Sequence, residues 1–363
     1  MKMSLPRTKM LEEAKQSKGR FIIVEILIFA AVLIVGFIAE GLMVLVPETV
    51  YLSHNEEYME IVSKFGNGEI TQSEMSAQVT ALSQNLPEYI TVISLFATAA
   101  VTIVCLIYCR FIEKRKISSM GFRKNNALAE YLVGALVGIV IFSLAVGMCV
   151  VTGALRFDGI SANIGWGLLG LYFLGFLVQG MSEEVLCRGY FMISMSRRVP
   201  AAVAAAVSSI AFACLHLQNN GIAPLAFVNL VLFGLFAAVY MLKRGNIWGV
   251  CAIHSLWNFV QGNFYGISVS GMSKMETVFN MSSVSSKELW NGGDFGLEGG
   301  LAVTIVLVVG IVVMLFTKTK PSEIAENTEN QSDTDMINKY SNEELAEIQK
   351  QNDDMTVINT MMM

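Results

Sequence analysis

Long apolar runs separated by short charged connections dominate the chain. A helix needs roughly 20 mostly apolar residues to cross a bilayer. The pattern offers about eight such runs, near 21–46, 89–112, 130–152, 164–195, 200–217, 223–242, 247–265 and 300–317. The first run is too long for a cleaved signal peptide, and no small-residue cleavage site follows its apolar centre, so it is expected to stay as an anchor. The fold class this predicts is all-α, a polytopic bundle of about eight transmembrane helices. Two connections are long. Residues 47–88 are polar and acidic and contain His54, which reads as an exposed loop residue. Residues 266–299 are rich in Ser, Gly and Asn and read as a flexible loop.

Lysine and arginine in the connections set the orientation. With the N-terminus inside, the inner segments hold 18 Lys and Arg and the outer ones hold four, Lys64, Arg156, Lys274 and Lys287. That places both termini in the cytosol of a multi-pass protein of the cell membrane. The organisation then reads as a cytoplasmic segment 1–20, a transmembrane hairpin 21–129 enclosing the outer loop 47–88, and a core 130–265. An outer loop and last helix, 266–317, follow, and then a cytoplasmic tail 318–363. From Pro321 onward that tail carries ten acids and two lysines, so it reads as disordered and solvated apart from a short helix near Ser341–Lys350.

Composition narrows the classes. Of 363 residues, 54% are hydrophobic and 15% charged, against about a quarter charged in soluble domains. Disorder, collagen and coiled coil fail as descriptions of the whole chain, and a net charge of −5 excludes a generally basic nucleic-acid binder. The six cysteines all fall in apolar runs and form no CxxC pair, so they read as small hydrophobes.

Against that background, ionisable groups inside apolar helices are costly and point to function. The run 164–195 contains Met181-Ser182-Glu183-Glu184-Val185-Leu186-Cys187-Arg188. Adjacent helical residues point about 100° apart, so Glu183 and Glu184 cannot share a face. Glu184 and Arg188, four apart, can pair, which leaves Glu183 unpaired by its own helix. The next run holds Phe212 and His216. A later one holds His254 and Asn258, one turn apart on a common face; an interhelical hydrogen-bond pair would also explain those two. Depth relates the three. Glu183 lies 14 residues before Arg197, about 21 Å along a helix. His216 follows Pro200 by 16 residues, about 24 Å. His254 and Asn258 follow Arg244 by 10 and 14, about 15 and 21 Å. One polar layer across three helices is what a buried site requires.

A carboxylate, two imidazoles and an amide are the parts of a hydrolase. Glu183 can serve as general base to a water, His216 can orient and activate that water, and His254 and Asn258 can stabilise the oxyanion. Glu183, His216 and His254 equally fit a catalytic metal with an open water position. No HExxH or GxSxG motif is present.

EExxxR, FxxxH and HxxxN, in that order on membrane helices, resemble the CPBP (CAAX protease and bacteriocin-processing, or Abi) intramembrane proteases. The matching residues are Glu183, Glu184 and Arg188, then Phe212 and His216, then His254 and Asn258. The resemblance covers roughly 130–265, with a looser similarity at Ile117–Phe122. It implies a multi-helix bundle whose site opens to the cytosol, with the glutamates and histidines as the catalytic set. Glu184, Arg188 and Phe212 are taken as positioning residues. It also implies membrane-associated peptide or protein substrates, as in CAAX prenyl proteases and bacteriocin-processing enzymes. One divalent metal, zinc before others, and a metal-free route both stay open, as does the oligomeric state. Two alternatives are a non-catalytic bacteriocin self-immunity protein and a proton-coupled transporter.

Overall fold

A computed structural model describes residues 8–83, 86–272 and 275–317. The acidic tail and the helix expected near Ser341–Lys350 lie outside the described residues, as do positions 1–7. In chain order the helices are α1 (Lys9–Lys15), α2 (Ile22–Ser53), α3 (Glu56–Gly66), α4 (Gln72–Ser83), α5 (Glu88–Ile112) and α6 (Ala127–Val151). There follow α7 (Trp166–Glu184), α8 (Ala201–Cys214), α9 (Pro224–Arg244), α10 (Trp248–Phe259), the short α11 (Glu288–Asn291) and α12 (Leu301–Phe316).

Four helices, α2, α5, α6 and α9, are long and apolar enough to cross a membrane, and α8 and α12 are apolar but shorter. The other two expected runs form α7 and α10, which carry most of the site's polar residues. Outward faces are apolar: on α6, Leu132, Leu136, Leu144 and Val151 are exposed while Phe142, Ala145 and Cys149 are buried. Such faces need a lipid cover in water, as in a membrane protein.

The all-α expectation needs one correction. Strand β1 (Leu155–Ile160) pairs antiparallel with β2 (Phe279–Ser283), with an irregularity between Phe157 and Gly159. These strands join the α6–α7 connection to the segment 266–299. That segment is not a free loop. Val269, Phe295 and Leu297 are buried, and Asn291 Nδ2 donates to the carbonyls of Ala154 and Val284 at 2.9 and 3.0 Å. Its Ser, Gly and Asn content serves tight turns and side-chain-to-backbone bonds rather than flexibility. Likewise 47–88 is largely helical: α2 runs through Pro47 to Ser53, and α3 and α4 follow. His54 is exposed at the C-terminal cap of α2.

The charged end of the bundle is tied together by a buried network. Glu113, at the end of α5, takes Arg197 at 2.5 Å and Arg115 at 2.6 Å, and Arg197 also reaches Glu25 on α2 at 2.8 Å. Arg115 and Arg197 are almost wholly buried. Two positions counted as loop charges therefore act as internal ties between the ends of α2 and α5 and the segment leading into α8.

Close helix contacts set the site. α10 packs along α6 and α7 where small residues permit it. A Cβ on Gly180 of α7 would stand 2.6 Å from the backbone nitrogen of Ser255 on α10, and one on Gly138 of α6 would stand 2.5 Å from the carbonyl of Ile253. His254 is thus held between two glycine-floored contacts.

Candidate active site

Glu183 and Glu184 end the regular part of α7, and the helix then widens into π-helical turns over Val185–Met192. Such bulges shift the face that side chains present and recur at functional sites. The two carboxylates have separate surroundings. Glu184 is fully buried, and its Oε1 meets Arg188 Nη1 at 3.1 Å and His254 Nδ1 at 2.9 Å. The Arg188 guanidinium lies over the Phe212 ring, 4.4 Å from its centroid. Its nitrogens form no hydrogen bond, so charge and ring contact hold it. Glu183 is a quarter exposed and points into a cavity of about 100 Å³.

Around that cavity stand His216, His254 and Asn258 as well as Glu183. Glu183 Oε2 lies 4.0 Å from His216 Nε2 and 3.7 Å from His254 Nε2, and it has no hydrogen-bond partner. α8 stops at Cys214, so His216 sits just past the helix end, where its Nδ1 lies 2.9 Å from the Phe212 carbonyl. A carbonyl only accepts, so the Nδ1 of His216 carries the proton. By the same reasoning His254 donates from Nδ1 to Glu184. In the neutral imidazoles both Nε2 lone pairs then face Glu183. Phe212 and Phe233 wall His254 with ring centroids at 5.8 and 5.0 Å.

Three acceptors aimed at one spot suit a water that donates two hydrogens. The donor types also suit a metal, with each imidazole oriented through its other nitrogen. The Glu183–imidazole separations of 4.0 and 3.7 Å are wider than the roughly 3.4 Å between tetrahedral zinc ligands held at about 2.0–2.1 Å. No group of three or more His, Cys, Asp or Glu among the described residues is arranged to hold a metal ion.

Several site residues escaped the sequence reading. Gln179, one turn before Glu183, donates to Glu183 Oε1 at 2.5 Å and accepts from Asn258 Nδ2 at 3.0 Å. Asn258 therefore reaches Glu183 through Gln179 rather than directly. An amide four residues before a glutamate in an apolar helix was the available signal. Glu298, just before α12, also lines the cavity. It accepts from the Ser270 backbone and hydroxyl at 2.6 and 2.8 Å. Burial pushes its carboxyl up from the ordinary glutamate value, against the Ser270 bonds that pull it down. Its distance in sequence from the motifs hid it. Glu40, inside the first apolar run, was visible as an ionisable group in a spanning helix.

Long apolar helices around carboxylates, imidazoles and amides define a membrane-embedded protein with a polar interior site. Residues 165–260 match the family model of the type II CAAX prenyl endopeptidase Rce1-like proteins, the CAAX-protease grouping that the sequence motifs resemble. The match takes in 96 of 363 residues and contains all seven motif positions from Glu183 to Asn258. No curated protein and no solved structure matches the chain.

Proposed function

We propose that the chain is an intramembrane endopeptidase that hydrolyses peptide bonds in membrane-associated peptides or proteins with an activated water. The observation that carries this reading is the convergence of Glu183, His216 and His254 on one point of a cavity also lined by Asn258. The CAAX-protease match over the same residues supports it.

In this mechanism a water donates one hydrogen to Glu183 Oε2 and the other to His216 Nε2. As its oxygen attacks the scissile carbonyl, Glu183 takes the proton and later delivers it to the leaving amine. Asn258 has one amide hydrogen committed to Gln179 and a second to offer the oxyanion. His254 donates there from Nε2 only as an imidazolium, with Nδ1–H kept on Glu184. Enclosure among apolar helices strengthens each of these interactions.

The same proposal includes eight crossings with both termini cytosolic, in the cell membrane, and no nucleic-acid partner. Proteomics of membrane and secreted proteins, comparing the wild type with Glu183→Ala, tests the activity. An uncut precursor should accumulate in the variant; identical profiles from equally abundant proteins would defeat the reading.

A further inference from the structure

Among the carboxylates in the membrane helices that the mechanism does not use, Glu25 and Glu130 have arginine partners and Glu40 has no ion pair among the described residues. Glu40 stands in the apolar stretch of α2, between Phe37 and Leu42, and is half-buried. It lines a second cavity, of about 200 Å³, adjoining the first. Glu183, His216 and Asn219 belong to the walls of both cavities, so a chain passing between them would carry a backbone carbonyl past the reacting groups.

The chemistry of the second cavity is uneven. Phe37, Val101, Leu186 and Leu215 supply apolar wall, and Glu40 supplies charge. No cation pairs with Glu40 among the described residues, and the other carboxylate lining this cavity, Glu183, has the same sign. A carboxylate left this way inside a spanning helix is costly until a cation arrives. The volume equals about seven waters at roughly 30 Å³ each, room for one long side chain and too little for a helix. A metal ion does not match, since no group of three ligating side chains is arranged for one among the described residues. An aliphatic stem ending in a positive head does match, because lysine and arginine bury their methylenes against apolar surface and leave the charge at the tip.

We propose that this cavity receives the lysine or arginine side chain flanking the scissile bond of the substrate, with Glu40 as the specificity-determining carboxylate. The proposal rests on the endopeptidase reading and names its substrate class. A neutral side chain in the cavity would leave Glu40 buried without a partner, and unpaired polar groups discriminate more strongly than missing methylenes do.

The test has two arms on the purified full chain. In the first, a proteome-derived peptide library is digested and the cleaved bonds are read by mass spectrometry. The wild type should enrich Lys or Arg at one position beside the cleaved bond. Glu40→Gln should reduce that enrichment by about tenfold or more, and Glu40→Lys should turn the preference toward Asp or Glu, a gain that a misfolded protein cannot show. In the second arm, pentylamine should raise the melting temperature of the wild type and not of Glu40→Gln, with pentanol as the uncharged control. Cleavage without a basic preference, or the same preference in Glu40→Gln, would overturn the proposal. Amine stabilisation that needs Glu40, in a protein showing no Glu183-dependent cleavage, would support the cavity and sink the endopeptidase reading instead.

Discussion

The Glu184–Arg188 pair should behave as one unit. Both side chains are fully buried and their nearest atoms are 3.1 Å apart. At that separation an effective dielectric of 20 gives an attraction of about 5 kcal/mol before desolvation is counted. Removing either partner of a buried pair strands the other charge and costs about 3–5 kcal/mol. Arg188→Met would leave Glu184 with His254 alone, and Glu184→Gln would leave the guanidinium with only the Phe212 ring. The double variant strands neither charge. Because the Arg188 nitrogens are not aligned for hydrogen bonding, the coupling should sit at the low end of that range, about 3 kcal/mol. Unfolding free energies of the wild type, both single variants and the double variant, measured in one detergent, give the cycle directly. The function should not recover with the stability. Glu184→Gln weakens the hold on His254 Nδ1, so the double variant should remain slower than wild type by about 10–100-fold. Single-variant losses that add to within about 0.5 kcal/mol would show that the two charges are held by other groups and would refute the reasoning.

Three further outcomes are expected. Gln179→Leu breaks the link from Asn258 to Glu183 and should lower kcat by about tenfold or more with little change in KM; wild-type kcat would remove Gln179 from the site. Gly180→Ala puts a Cβ 2.6 Å from backbone on α10, where no flexible side chain can yield, so it should cost about 1–3 kcal/mol in thermal unfolding, and an unchanged Tm would count against the close contact. Chelators such as EDTA and phenanthroline should leave cleavage intact, since the Nε2–Oε2 separations are wider than a zinc shell; loss of activity restored by added zinc would replace the water-only mechanism with a metal one.

Much of the site was legible because buried charge in an apolar chain is conspicuous. Glu183, Glu184 and Arg188 stood out by cost, and helical spacing alone separated the two carboxylates. His216 and His254 entered through estimated depth, which needs only the helical rise. What escaped has physical reasons. Gln179 is neutral and sits in an otherwise ordinary apolar run, so nothing marked it apart from its spacing to Glu183. Glu298 lies in a segment whose composition resembles a loose loop, yet that segment is packed through Asn291, Phe295 and Leu297. The strands β1 and β2 are six and five residues long and pair across a large sequence separation that no local pattern encodes. Arginine counting for topology also has a limit here, since Arg115 and Arg197 are consumed by Glu113 and Glu25 inside the bundle.

The adjacency of two glutamates follows from helix geometry. In the proposed mechanism the reacting carboxylate must reach a cavity and keep a free oxygen, as Glu183 Oε2 does. An orienting carboxylate must be buried and bonded, and Glu184 Oε1 is, to His254. Neighbouring positions on one helix point about 100° apart, so a single stretch of backbone supplies both environments at one depth. The cost is that Glu184 brings a second negative charge into the bundle, and Arg188, one turn on, offsets it without reaching the cavity. The π-helical turns from Val185 onward begin where this division ends. A regular helix there would move Arg188 relative to Glu184 and Phe212, so the site depends on backbone shape as much as on the identity of its side chains.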